Sequence, residues 1–146
     1  VNVKTVINNL ELHADGDVES IKGQSMTGTT VYAGVAPGVM GVPSLAAHFA
    51  RNAMINKVNI KDFFRDSVLG AREIGKAKLS DVMVDNNDSP FGVGSSLIGK
   101  LQAVNVQNGD KLKLSGVDSV GDLVDILGGT SIEDFNLNIV PLIDEV

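Results

Sequence analysis

The sequence predicts an α+β fold in which a mainly antiparallel, aliphatic sheet packs on two or three helices. Three observations lead to this expectation. Valine is abundant and aromatic residues are few, with five Phe, one Tyr and no Trp, so the core has to be aliphatic. The pair Asn108-Gly109 lies between two alternating runs, as in a β-hairpin. Two segments, 43–55 and 60–77, carry apolar residues at helical spacing.

The first third of the chain favours strands. Residues 1–12 and 29–35 are rich in β-branched side chains, whose restricted χ1 suits a pleated backbone. Residues 13–17 have the composition of a turn, and residues 18–21 would return as a short strand. The chain is therefore expected to open with a hairpin.

Two helices are predicted in the middle of the chain. Pro43 fits the first turn of helix 43–55, where its missing N–H has no partner to lose. Asn59 can cap helix 60–77, whose apolar residues share one face of a helical wheel. A second face of that helix would carry four basic residues, here named the basic stripe: Lys61, Arg65, Arg72 and Lys76. We interpret the stripe as a solvated face, and the alternatives are docking of an acidic partner, of a phosphate or, less favoured, of a membrane surface.

The remaining elements follow from local signals. In chain order they are a strand (79–84), a loop (85–94), a short helix (95–103), a hairpin (103–114), a helix (118–127) and a last strand (135–143). Pro141 cannot donate a ladder hydrogen bond, which favours an edge position for the last strand. A Val/Phe-Asn-aliphatic fragment recurs only at unequal intervals, so no periodic repeat is predicted. The length fits a single domain, 1–146.

The charge and the composition of the chain make some classes of function unfavourable. The chain has 12 basic and 18 acidic residues, a net charge of −6, and residues 81–146 are strongly acidic. Because an acidic surface repels phosphate backbones, nucleic acid is not expected as the main partner. No apolar run is long enough to span a membrane. With no Cys and only two His, catalytic residue types are scarce, and an enzyme is not favoured.

Two glycine-rich loops, 34–44 and 85–96, are the candidate interface or ligand sites. Backbone N–H groups before a helix can bind anions, and glycine permits close approach. The residues between the glycines of the first loop are Val, Ala, Pro and Met, with no polar or basic side chain among them, so we favour burial against protein or a neighbouring subunit. The candidate residues are Gly34, Pro37, Gly38, Met40, Gly41, Ser44, Gly92 and Gly94. The run from Gly94 to Leu101 is similar to a nucleotide-binding loop, but Leu101 replaces the hydroxyl that would hold Mg²⁺.

These observations lead to two expectations for function. The first is a non-catalytic structural or assembly protein that forms a homo-oligomer through pairing of basic and acidic surfaces. The alternative is a small-molecule or anion-binding domain that uses loops 34–44 and 85–96. This alternative includes an enzyme. No cofactor is expected. A metal is left open, because two oxygen-rich loops lack a known metal-binding spacing. The first contains Asp15, Asp17 and Glu19, and the second contains Asp85, Asn87 and Asp88. The sequence identifies neither the ligand nor the compartment.

Overall fold

The computed structural model describes residues 6–39, 41–43, 46–83, 91–105, 111–117, 131–132 and 135–140. Within these residues, regular structure is almost entirely β, and the one helical element is a short 3₁₀ turn, Ala46–His48. The strands are β1 (Val6–Asn8), β2 (Glu11–Ala14), β3 (Val18–Gly23), β4 (Ser25–Thr27), β5 (Thr30–Ala33), β6 (Met54–Arg65), β7 (Val68–Ala71), β8 (Glu73–Val82), β9 (Phe91–Ser95), β10 (Leu97–Asn105), β11 (Lys111–Val117), β12 (Ser131–Ile132) and β13 (Phe135–Ile139).

The chain alternates between two sheets. The first, sheet A, has the order β1-β4-β6-β8-β10-β11, with β3 also paired to β6. The second, sheet B, has the order β12-β13-β9-β7-β5-β2. Neighbouring strands are parallel except at one end, where β11 and β12 run antiparallel to β10 and β13. Each coil of the chain thus adds a strand to both sheets, which is the architecture of a β-solenoid.

Paired strands of successive coils are 19 residues apart in the sequence between β1 and β4 and between β6 and β8, but 24 residues apart between β8 and β10. The backbone N–H of Leu10 bonds the hydroxyl of Thr29, 19 residues further on. The backbone N–H of Thr29 in turn bonds the hydroxyl of Ser67, 38 residues further on. The spacing between Thr29 and Ser67 is doubled because residues 34–53 are inserted between β5 and β6. These unequal spacings explain why a search for one constant period predicts no repeat.

The core lies between the two sheets and is filled by equivalent residues of successive coils. Ile55, Ile74 and Ile98 are neighbours across β6, β8 and β10, and each is fully buried. The rings of Phe64 in sheet A and Phe91 in sheet B have their centroids 6.1 Å apart, joining the two sheets. Such aromatic pairs contribute beyond the area that they bury. The core is thus mainly aliphatic, with phenylalanines bridging its layers.

The expected α+β fold, with an antiparallel sheet packed on helices, is wrong. Residues 60–77 form the end of β6, all of β7 and the start of β8, while residues 43–55 hold only the 3₁₀ turn before β6 begins. The segment expected as a short helix, 95–103, forms most of β10. The helix expected at 118–127 lies outside the described residues.

The cause of this error is the spacing that a solenoid gives to its inward residues. Along β8, Leu79 and Val82 are both buried although they are three residues apart, and the pairing with β6 shifts by one residue at the same place. A tight corner at Asp66 and Ser67 starts β7. Bulges and corners therefore mix spacings of two, three and four residues. On a helical wheel this mixture resembles one apolar face.

Other local expectations were met in part. The strand expected at 29–35 is β5, and β10 and β11 pair antiparallel as the hairpin prediction requires. The turn residues Asn108 and Gly109 lie outside the described residues. The opening hairpin is wrong, because β2 and β3 belong to different sheets. The last strand, β13, is not at an edge, because it pairs with both β9 and β12.

Gly92 offers a test of the stacking between coils. Its φ is +140°, which side chains rarely adopt, and a Cβ atom there would overlap the carbonyl oxygen of Asn136 on β13. Gly92→Ala should therefore lower the free energy of unfolding by about 2 kcal/mol or more, measured by urea denaturation. The matched control is Gly16→Ala, because a Cβ at Gly16 meets nothing within 4 Å. Equal stability of the two variants would contradict the described pairing of β9 with β13.

Candidate anion-binding face

The outer surface of sheet A is built by strands that alternate strictly where they cross its centre. In β6, Val58 and Ile60 are buried, while Lys57 is exposed to solvent. In β8, Ala77 and Leu79 are buried while Lys76 and Lys78 are exposed. Because side chains on a strand point to opposite faces in turn, the buried residues orient the lysines outward.

Parallel pairing in register places the outward residues in two rows across the strands. The first row is Ser20, Lys57, Lys76, Lys100 and Ser115. The second row is Lys22, Asn59, Lys78, Gln102 and Lys113. Neighbouring strands of a sheet are about 4.8 Å apart, and residues i and i+2 of one strand are about 7 Å apart. The rows therefore form a flat grid of polar and basic side chains.

Six lysines make up the charged part of this grid, and we name them the lysine face: Lys22, Lys57, Lys76, Lys78, Lys100 and Lys113. They are half of the 12 basic residues in a chain whose net charge is −6. All six are exposed. Where the chain is described, none of their ammonium groups is paired with a carboxylate. The lysine face is thus a local concentration of positive charge on an acidic protein.

The surface between the rows is a shallow groove. A depression of about 460 Å³ lies over β3, β6, β8 and β10 and is lined mainly by the two rows. A second depression of about 310 Å³ continues from it over β11, and Lys78 and Gln102 line both. In the part of the chain that the structure describes, the carboxylate of Asp81 borders the second depression. Among the described residues, none that lines the first depression is acidic.

The direct pairing of like charges has an energetic consequence. Lys57 pairs with Lys76, and Lys76 pairs with Lys100, on three successive strands. Like charges that face each other across strands destabilise a sheet. Solvent and long side chains weaken this repulsion, and salt screens it further. A bound anion would relieve it, so the lysine face is a candidate site for an anion.

The basic stripe expected on a helix does not exist as a single surface. Lys61 and Arg65 are exposed on β6, whereas Arg72 lies at the corner between β7 and β8. The buried Nε of Arg72 has no hydrogen-bond partner among the described residues. Of the four residues, Lys76 alone lies within the two rows of the lysine face.

The missed signal was the alternation of lysine with apolar residues. Lys76-Ala77-Lys78 and Lys111-Leu112-Lys113 each place two lysines on one face of a strand. Local alternation identifies such pairs in a sequence. It does not show that Lys57, Lys76 and Lys100 meet, because that depends on how the coils are aligned.

The first glycine-rich segment lies against the outer face of sheet B. Gly34 is buried, and its N–H donates to the carbonyl of Ala14 at 2.7 Å. The carbonyl of the buried Pro43 accepts a hydrogen bond from Asn138 Nδ2 at 3.2 Å. Gly94 of β9 allows this approach, since a Cβ there would lie 2.5 Å from the Pro43 carbonyl oxygen. This part of the segment therefore packs on the chain itself.

The other residues of the two loops are spread over different environments. Pro37, Gly38 and Gly41 are exposed, and Met40 and Ser44 lie outside the described residues. Gly92 and Gly94 belong to the buried strand β9 and are not in a loop. The α-helix whose N-terminus was expected to bind an anion is replaced by the 3₁₀ turn Ala46–His48. Loop 34–44 therefore lacks the feature that suggested an anion site.

Tyr32 anchors the exposed tip of the segment. Its hydroxyl donates to the Gly41 carbonyl at 2.5 Å, and its ring meets that of His13 edge to face at 5.2 Å. Burial raises the pKa of Tyr32, and the nearby carboxylate of Glu11 raises it further. A raised pKa keeps the hydroxyl protonated, so it remains a hydrogen-bond donor at neutral and moderately alkaline pH.

The first oxygen-rich loop has a structural role, and the second lies outside the described residues. Asp17 Oδ1 accepts a hydrogen bond from the backbone N–H of Met54 at 2.9 Å, and Glu19 Oε1 accepts one from Asn56 Nδ2 at 2.9 Å. Both bonds join neighbouring coils. Across the described ranges, no group of three or more His, Asp or Glu side chains is placed to hold a metal ion. In the same ranges no helix has the length and apolar character needed to cross a membrane.

Comparisons with protein-family models, with curated proteins and with solved structures find no match to this chain.

The Tyr32 anchor gives a prediction for the glycine-rich segment. Tyr32→Phe keeps the ring but removes the bond to Gly41, which should cost about 1 kcal/mol. Cleavage by a non-specific protease near residues 37–42 should accelerate. His13→Leu is the control, because it removes the ring contact and keeps the Tyr32 hydroxyl. Unchanged cleavage of Tyr32→Phe would show that the hydroxyl does not hold the segment.

Proposed function

We propose that this chain is a non-catalytic binding protein that presents its lysine face to an anionic partner. The observation that carries the proposal is the alignment of Lys57, Lys76 and Lys100 on three successive strands without a described counter-charge. A partner with negative charges supplies that counter-charge. Its binding then offsets the repulsion between the lysines.

The chemistry of the face supports binding without catalysis. The two rows contain only lysine, serine, asparagine and glutamine. A reaction would need an acid, a base or an activated nucleophile at a defined point. The rows instead repeat the same functional groups along a flat surface. Repetition of this kind suits recognition of an extended partner.

Self-association is the second candidate function, and the charge distribution of the sequence favours it. Residues 81–146 carry three basic residues against eleven acidic ones. The acidic part of one copy could therefore neutralise the lysine face of another copy. Contacts between two such non-identical surfaces are heterologous, and they produce rings or filaments. In this candidate the chain is a structural protein that assembles with itself.

Retention on a sulfonate cation-exchange resin tests the lysine face. At low salt the native protein should be retained despite its net charge of −6, because the face presents six lysines together. Replacing Lys57, Lys76 and Lys100 with Gln should abolish retention. The matched control replaces Arg51, Lys61 and Arg65 with Gln, which changes the net charge equally outside the rows. Flow-through of the native protein, or equal loss in both variants, would refute the proposal.

A solution mass distinguishes self-association from binding of another partner. If copies pair through the lysine face, light scattering at low salt should show species well above the 15.3 kDa of one chain. The mass should fall towards one chain as salt rises, because salt screens exposed charges. The triple Lys→Gln variant should already have the lower mass at low salt. A single-chain mass for the native protein at every salt concentration would eliminate this candidate.

A further inference from the structure

We infer that the partner of the lysine face is a linear acidic polysaccharide that lies across the strands, parallel to the stacking direction of the coils. This inference rests on the proposed function and specifies its ligand. It follows from the different repeats of the two rows, from the kinds of side chain between the lysines, and from the shape of the surface.

The two rows repeat charge at different intervals. In the first row, lysines occupy three successive strands, so positive charge recurs about every 4.8 Å. In the second row, Lys22, Lys78 and Lys113 alternate with Asn59 and Gln102. Charge there recurs about every 10 Å, with an amide between. Both repeats run across the strands, which sets the direction of an extended ligand.

A small anion does not use this arrangement. One phosphate or carboxylate can contact two or three neighbouring lysines and leaves the remaining charges unpaired. The backbone N–H groups at the centre of β6, β8 and β10 are engaged in strand pairing, so they are not available to form a cradle. A linear polyanion contacts every row position at once. After its first contact has formed, the remaining charges of the polyanion are held close to the face, so they bind at a high effective concentration.

The neighbours of the lysines favour sugar over nucleic acid. Single-stranded nucleic acid is held largely by stacking of its bases on aromatic side chains. The rows contain no aromatic residue and no arginine, the side chain whose fork matches a phosphate. Asn59, Gln102 and Ser115 instead offer amide and hydroxyl groups. These groups can exchange hydrogen bonds with sugar hydroxyls.

The spacing also fits a polymer of uronic acids. An extended uronic-acid chain advances by close to one inter-strand spacing for each sugar. In a chain with two-fold symmetry, neighbouring carboxylates point to opposite sides, so every second one can meet Lys22, Lys78 and Lys113 in turn. The five strands from β3 to β11 span about 19 Å, so about five sugars would cover the face.

A length series of galacturonate oligomers tests the inference by titration calorimetry with the full chain at low salt. The monomer should not bind detectably, and affinity should rise about tenfold or more from two to five sugars and then level off. Single-stranded DNA and polyglutamate of equal charge should bind at least about tenfold more weakly than the five-sugar oligomer. An affinity that does not depend on oligomer length would overturn the inference that the ligand lies across the strands.

Other results separate this inference from the proposed function. Equal or tighter binding of DNA or polyglutamate would overturn the sugar assignment and leave the anionic face intact. If the resin retains the protein and no galacturonate oligomer binds, the inference fails alone. If the resin does not retain the protein and no polyanion binds, the proposed function fails with it.

A pair of variants isolates recognition of the sugar from attraction of charge. Asn59→Ala combined with Gln102→Ala should weaken binding of the five-sugar oligomer about tenfold, because it removes hydrogen bonds to hydroxyls. Retention on the cation-exchange resin should be unchanged, because every lysine remains. Asn8→Ala combined with Asn52→Ala is the control, since these exposed amides lie outside both rows, and it should leave the oligomer affinity unchanged. Unchanged oligomer affinity in the variant that lacks Asn59 and Gln102 would refute the role of the amides.

Discussion

Parallel pairing of successive coils in register is the constraint on which the rest of this structure depends. Each coil places its strands about 4.8 Å from those of the coil before it. Hydrogen bonds at the corners connect the same positions, as between Leu10 and Thr29 and between Thr29 and Ser67. A shift of one residue would turn every inward side chain to the outside. The buried ladder of Ile55, Ile74 and Ile98 holds the register against such a shift.

The same register that fills the core also determines what the outer face presents. Once Ile55 lies beside Ile74, Lys57 has to lie beside Lys76, because both pairs belong to the same two strands. Apolar burial gives a large favourable free energy, whereas repulsion between exposed lysines in water is small. Burial therefore decides the alignment and the repulsion is tolerated. The outcome is a basic surface on a chain that is acidic as a whole.

The insertion at 34–53 shows how a solenoid accommodates extra residues. It leaves after β5, packs Pro43 over Gly70 and Gly94 on the outside of sheet B, and returns to start β6 in register. A Cβ on Gly70 would lie 2.8 Å from Pro43 Cγ, so the absence of a side chain makes the contact possible. Part of the outer surface of sheet B, at Gly70 and Gly94, is thus covered by the chain itself, and the outer surface of sheet A carries the lysine face. This difference places the candidate site on sheet A.

The sequence by itself determined the local properties of this protein: a mainly aliphatic core, the strand β5, the antiparallel pairing of residues 103–104 with 111–112, and the overall negative charge. Each depends on side-chain type or on neighbours a few residues away. Only the tertiary structure decided that residues 60–77 are strands and that Lys57, Lys76 and Lys100 form a row. A mixed apolar spacing fits a helix and a bulged, cornered strand equally well, and pairing with other coils decides between them. Lysines far apart in the chain become neighbours only through that pairing, which local sequence does not contain.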